Sequence, residues 1–305
     1  MSGMARSKRI RLTSQKERVR DVCARMLHSR LKAIAHCLPL AAKKSQDNLE
    51  YVHQLRVWTR RADAVVDLCR NLLPKTDRRE LSNQLDLLRD AAGAARDADV
   101  LREGIAQLKP GLGREHLLKD IERRRREAQE PLVQANEKLR GGQKILELAK
   151  GIAKRFEKQR SKKPFRNRFA QWSRDQLKPL IKRFAKRGQA DLTELAKLHK
   201  FRIAGKRLRY ALELVWGALD KRPRKRAYEK LDRLQARLGS INDTRNLIAE
   251  IEQAANAAKK RALQTQLRRL LAAEQRHLTT AQEMWTEGWS GKKAKRLERR
   301  LKRLV

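Results

Sequence analysis

A shift of 146 positions lays one part of this chain over another without a gap, and that constrains the fold more tightly than any local pattern. VHQLRVWTRRADAVVDL from Val52 and LHKFRIAGKRLRYALEL from Leu198 share a His, an Arg, a basic pair and an apolar run at the same offsets. His53 falls on His199, Arg56 on Arg202, Arg60 on Lys206 and Arg61 on Arg207. The same shift carries Leu85, Leu88, Gly93 and Asp97 onto Leu231, Leu234, Gly239 and Asp243. Upstream, Val19, Cys23, Met26, Leu31, Ile34 and Leu38 fall on Phe165, Phe169, Trp172, Leu177, Leu180 and Phe184. The repeated unit is far longer than a solenoid repeat, so the chain reads as two tandem halves packed as one body.

Glycine and proline act as punctuation, at Pro39, Pro74, Pro110 to Gly113, Gly141 and Gly142, Pro164, Gly188, Pro223 and Gly288 to Gly291. Between them apolar residues recur at spacings of three and four, with no sustained two-residue alternation. This predicts an all-α fold. Helices are expected over 15–38, 46–73, 77–108 and 114–140, then over 165–187, 192–217, 224–257 and 259–287, with a short helical piece near 143–159. Helices of roughly 25 residues are about 37 Å long and suit one four-helix bundle per half. The duplication relates the two bundles by a pseudo-twofold axis. The expected organisation is a basic N-terminal tail over 1–14 and a body over 15–287, whose halves, 15–140 and 165–287, are joined by a linker over 141–164. A basic C-terminal tail over 288–305 follows, read as a solvated charge run.

Lysine and arginine number 76 against 35 aspartates and glutamates, a net charge of +41, yet 40% of residues are apolar. A chain that apolar, with helical periodicity, buries a core rather than staying disordered. The excess charge therefore sits on a folded surface, where its self-repulsion is best relieved beside a polyanion: nucleic acid, polyphosphate or an anionic membrane. The three cysteines, Cys23, Cys37 and Cys69, include no CxxC pair and are expected as buried thiols of a reducing compartment. The start of the chain lacks the apolar stretch of a secretory signal, and no apolar run approaches the roughly 20 residues of a membrane span. A cytoplasmic protein is expected.

On a helix, His53, Arg56 and Arg60 fall within about 60° of one another, as do His199, Arg202 and Lys206, so each set makes one stripe. Leu55, Trp58, Ala62, Val65, Val66 and Cys69 lie opposite the first stripe, and Phe201, Ala204, Leu208, Ala211, Leu212 and Val215 opposite the second. Each helix is anchored by one face and displays cations on the other. Arginine presents a planar fork to phosphate, lysine a compact charge and histidine a donor that titrates near neutrality. Arg209 and Tyr210 extend the second stripe where the first has Asp63 and Ala64, which makes the second half the stronger expected binder. The plain alternative is that these arginines pair with acidic neighbours on a bundle surface. Neither His53 nor His199 has a His, Cys or carboxylate at i+3 or i+4, so no metal and no catalytic role is expected of them. Asp97 and Asp243 are read as orienting arginines of the adjacent helix, and Gly93 and Gly239 as permitting close helix packing. Arg124 and Arg125 either lean toward the interior or form salt bridges to Asp97 or Asp99.

VHQLRVWTRR, LHKFRIAGKRLRYALEL, LRDAAGAARDADVL and LQARLGSINDTRNL, in that order, resemble the CHAD family, the conserved histidine α-helical domain, over roughly residues 15–287. The resemblance implies two four-helix bundles with pseudo-twofold symmetry around a basic central cavity or groove. It also implies binding of inorganic polyphosphate and association with polyphosphate granules. Carried over position by position, the binding set is His53, Arg56, Arg60 and Arg61 with His199, Arg202, Lys206 and Arg207. Ala62 and Asp63 stand where the family often has aliphatic residues. Some members follow a triphosphatase domain with an ExExK strand; that motif does not occur in this sequence, so a binding module without hydrolase activity is expected.

These readings converge on non-enzymatic polyphosphate binding through His53, Arg56, Arg60, Arg61, His199, Arg202, Lys206, Arg207 and Arg209, with Arg124 and Arg125, and without a cofactor. Non-specific nucleic-acid binding at low salt is the first rival, driven by the same counterion release. Aromatics make up only 4% of the chain and do not interleave with the cations as single-strand platforms do. A phosphoanhydride hydrolase is the second rival, and it lacks the carboxylate cluster that would hold Mg²⁺.

Overall fold

The computed structural model describes Leu12, residues 17–158 and residues 169–305. Most of the expected N-terminal tail, the end of the linker and Phe165 lie outside the described residues. Among the described residues there are helices and no strands. The first half contains α1 (Val19–Lys43), α2 (Glu50–Leu68), α3 (Lys75–Ala91), α4 (Gly93–Ala106), α5 (Leu112–Glu127) and α6 (Glu130–Lys138). A 3-10 turn at Arg140–Gly142 leads into α7 (Gln143–Lys158). The second half contains α8 (Phe169–Gly188), α9 (Leu195–Leu214), α10 (Lys221–Ala257), α11 (Arg261–Gly288) and α12 (Gly291–Lys302).

One core runs through both halves. Val22, Met26, Leu55, Val65, Leu85 and Leu88 of the first half are continuous with Leu177, Phe184, Phe201, Leu208, Leu231 and Leu238 of the second. A smaller core, with Ile105, Leu117, Ile121, Leu247, Ile251 and Leu267, closes α4 and α5 onto α10 and α11. The halves therefore meet along α2 with α9, α4 with α10, and α5 with α11. Cys23, Cys37 and Cys69 are buried free thiols. Burial, then the neighbouring Cys69, pushes the Cys23 thiol up.

The boundaries depart from the periodicity in instructive places. Helix α1 continues past Pro39 to Lys43 because Ala41 and Ala42 still bury against the core. A proline inside a helix has no N–H for the carbonyl four residues earlier, here that of Ala35. Gly142, at φ +92°, closes on that same residue: a Cβ there would stand 2.6 Å from the Ala35 Cα. The predicted helix over 77–108 is interrupted at Ala92 into α3 and α4, whereas its repeat partner α10 runs unbroken for 37 residues.

Residues 288–305 correct the expectation of a solvated tail. They form α12, whose Ala294, Leu297 and Leu301, followed by Leu304, are buried against α8 and α10. Their spacing of three and four makes an apolar stripe beneath the dense basic face.

Candidate anion-binding site

The two basic stripes merge into one field, with Arg60 at its hub. Helices α2 and α9 pack together, and α4 and α10 close the flanks. The charge of Arg60 acts on His53 and Arg56 of its own helix and on Arg202 and Lys206 of the other. Burial lowers the Arg56 and Arg202 guanidinium pKa values, and Arg60 lowers both further. Lys206 is affected most: burial, then Arg202 and Arg60, bring it down to about 7, against partial compensation from Asp243. His53 is held below its ordinary range by burial and then by Arg96 of α4. Half-buried cations crowded in this way favour an anion that restores their countercharge.

Each side chain is placed by its helix. Arg56 crosses Gly93, where a Cβ would lie 3.5 Å from Nη1, and donates from Nη1 to the Ala92 carbonyl at 3.2 Å. The interruption between α3 and α4 thus supplies a backbone acceptor. A Cβ at Gly93 would make only ordinary contact with that guanidinium, and one on its partner Gly239 would meet nothing within 4 Å. Both glycines therefore depart from the close-packing reading. Asp97 lies 3.7 Å from Arg56 Nη2 and remains exposed. Asp243, also exposed, acts on Arg202 and Lys206 from α10. A cavity of about 420 Å³ opens between α4 and α10 beside the field, lined by Asp243 and Glu103 among others. Glu103 partly offsets the depression of His53.

Several residues expected in the stripes serve elsewhere. Arg61 is 5% exposed and donates from Nε to Glu213 of α9 at 3.0 Å, with its guanidinium 4.8 Å from the Trp58 ring centroid. It joins the halves and does not face the field. Arg209 donates to Glu213 at 3.0 Å and to the Tyr228 hydroxyl at 3.3 Å, and lies over Tyr210. It supports that same carboxylate, and its charge also lowers Lys206. His199 and Arg207 are exposed, and the main charges acting on Arg202 and Lys206 are Asp243 and Arg60, with Arg202 and Arg209 also acting on Lys206. The first copy accordingly places His53, Arg56 and Arg60 in the field and the second Arg202 and Lys206. Arg125 meets both alternatives, buried and paired with buried Asp99 at 2.7 Å, whereas Arg124 pairs with neither Asp97 nor Asp99 but with Asp120 at 3.0 Å and with Glu250. Both arginines thus have carboxylate partners in the free protein.

Sequence reasoning missed Arg96, Arg30 and Glu213. Arg96 stands in AARDADV immediately before Asp97 and acts on both His53 and Arg56. Arg30 is fully buried, 5.8 Å from the Trp58 ring centroid; burial and then Arg61 bring it down to about 10, with Glu213 opposing. Glu213 also accepts from Tyr228 at 2.7 Å. A lone carboxylate within LRYALEL, on an otherwise buried helix face, was the available signal. Among the described residues no group of three or more His, Cys, Asp or Glu could hold a metal ion, and no helix is long and apolar enough to cross a membrane.

A family model described as the CHAD domain matches residues 25–252. The crystal structure of the CHAD domain from the plant Ricinus communis superposes with a TM-score of 0.71 at 21% identity, covering 98% of this chain and 96% of that one. PptA from Streptomyces chartreusis superposes with a TM-score of 0.56 at 18% identity, covering 90% and 99%. No curated protein is detectably similar to the chain in sequence.

Proposed function

The chain belongs to the CHAD domain family, and from that premise we propose that it binds inorganic polyphosphate in the field centred on Arg60, without turning it over. The observation that carries this reading is the clustering of half-buried cations from both halves: His53, Arg56, Arg202 and Lys206 are each lowered by burial first, and the charge of Arg60 acts on all four. Like charges half-buried together are costly in the free protein, and a linear phosphate chain running across α2 and α9 relieves that cost. Charge-assisted contacts contribute roughly 1.5 to 3 kcal/mol each, so a few of them give tight binding without covalent chemistry. We place the protein in the cytoplasm at polyphosphate granules, with non-specific nucleic-acid binding confined to low salt.

Titration with long-chain polyphosphate and with duplex DNA across a salt series tests the binding, and phosphate release with Mg²⁺ present tests the second clause. Polyphosphate should bind more tightly than DNA at physiological salt, with no turnover. Tighter DNA binding would overturn the first clause and phosphate release the second.

A further inference from the structure

Away from the central field, α10, α11 and α12 enclose a cavity of about 310 Å³, within the size range of small-molecule sites. Its floor is apolar and aromatic. Trp285 and Trp289 stack with centroids 5.5 Å apart and planes 10° apart, beside Leu234 and Leu297. Its rim is cationic, with Lys230, Arg233 and Arg237 from α10 and Lys293 and Arg296 from α12. Nearby carboxylates are engaged elsewhere: Glu298 of α12 meets Lys302 at 2.8 Å and Gln189 at 3.1 Å, and Asp232 of α10 lies 3.6 Å from Arg209. Lys230 is lowered by desolvation and then by Arg300, Arg296 and Arg233. Trp285 is buried, and its Nε1 donor finds no acceptor among the described residues, whereas Trp289 Nε1 donates to the Gly188 carbonyl at 3.0 Å.

A bare phosphate chain would use only the rim. A ligand that uses both surfaces combines a planar, largely apolar ring with several phosphates. We propose that this cavity is a second anion site, separate from the Arg60 field, that takes a nucleoside polyphosphate, its base on the tryptophan and leucine floor and its phosphates among Arg233, Arg296 and their neighbours. The tryptophans and α12 lie beyond residue 252, outside the family match. Because the rim draws on both α10 and α12, the ligand also pins α12 to the body.

ATP, tripolyphosphate and adenosine are titrated against the full chain by calorimetry and tryptophan fluorescence. The same titrations are run on R233E/R296E and on K154E/K182E, a variant of equal charge change; all four positions are exposed, and circular dichroism verifies folding. ATP should quench the tryptophans and bind more tightly than tripolyphosphate or adenosine. Its affinity should fall about tenfold or more in R233E/R296E relative to K154E/K182E, the loss of a charged phosphate contact or more. Equal ATP affinity in the two variants would overturn the site, and tripolyphosphate binding as tightly as ATP would overturn its nucleotide character. Polyphosphate binding at the Arg60 field is read separately on the same variants, so either proposal can fail alone.

Discussion

Lys206 should make polyphosphate binding take up a proton. In the free protein its ammonium is lowered to about 7 by burial and by Arg202 and Arg60, with Arg209 adding to this and Asp243 opposing. A polyanion laid across these cations replaces repulsion with attraction and returns Lys206 toward its ordinary 10.5. Between those values the bound state holds a proton that the free state lacks, so affinity falls as pH rises. For full restoration the two-state expression gives uptake of about 0.96 proton per binding event at pH 8.5, and a loss of about twentyfold in affinity between pH 7.5 and 9. His53, already below its ordinary range when free, contributes mainly nearer neutrality, so measuring at pH 8.5 isolates Lys206. Calorimetry in buffers of different ionisation enthalpy at constant salt counts the protons. Lys206→Arg keeps the charge at all these pH values and should abolish the uptake while retaining affinity. No uptake at pH 8.5 in the wild type, or the same uptake in Lys206→Arg, would refute the reasoning. The free protein carries the matching signature. With the Lys206 pKa depressed in the folded state, the unfolded chain binds more protons between about 7 and 10.5, so stability rises with pH across that window.

The joint between the halves gives a second expectation. Glu213 is the carboxylate that Arg61 and Arg209 share, with Arg30 within its field, so Glu213→Gln should cost about 3–5 kcal/mol in urea unfolding and more than Arg61→Gln; the opposite order would count against the network. Gly142→Ala combines a positive φ with an approach to Ala35 and should cost about 2 kcal/mol or more, whereas at Gly141, φ +62° with nothing within 4 Å, alanine should cost only about 1–2 kcal/mol. Leu301→Ala should destabilise by about 2–5 kcal/mol, since Leu301 is fully buried; a change within error would return α12 to the status of a tail.

The helical architecture and the field were legible because both are written as spacing. A 146-residue shift and a period of three and four place His53, Arg56 and Arg60 on one face whatever they pack against. Periodicity does not say which neighbour arrives. Arg61 and Arg207 occupy equivalent offsets, yet Arg61 meets Glu213 while the residue in Glu213's place in the first copy is Asp67, one methylene shorter and exposed. Trp58, which Arg61 overlies, is likewise Ala204 in the second copy, so one arginine is a buried joint and the other stays in solvent. Arg209 misled for a similar reason: it continues the stripe by angle, but a buried carboxylate one turn on and Tyr228 claim it. In α12 the apolar stripe was present in the letters and was hidden by the density of charge around it. Pro39 ended a helix on paper because its local cost was counted and the burial of Ala41 and Ala42 was not.

The account stands or falls on whether cations from both halves form one site. Polyphosphate affinity at physiological salt, compared between R60E/R202E and the surface control K154E/K182E, separates a defined site from the general attraction of a chain at +41, since each pair changes the net charge equally. The account predicts a loss of about a hundredfold or more for R60E/R202E, the removal of two charged contacts, against a few-fold loss for the control. Equal losses would contradict it, leaving net charge as the whole of the binding.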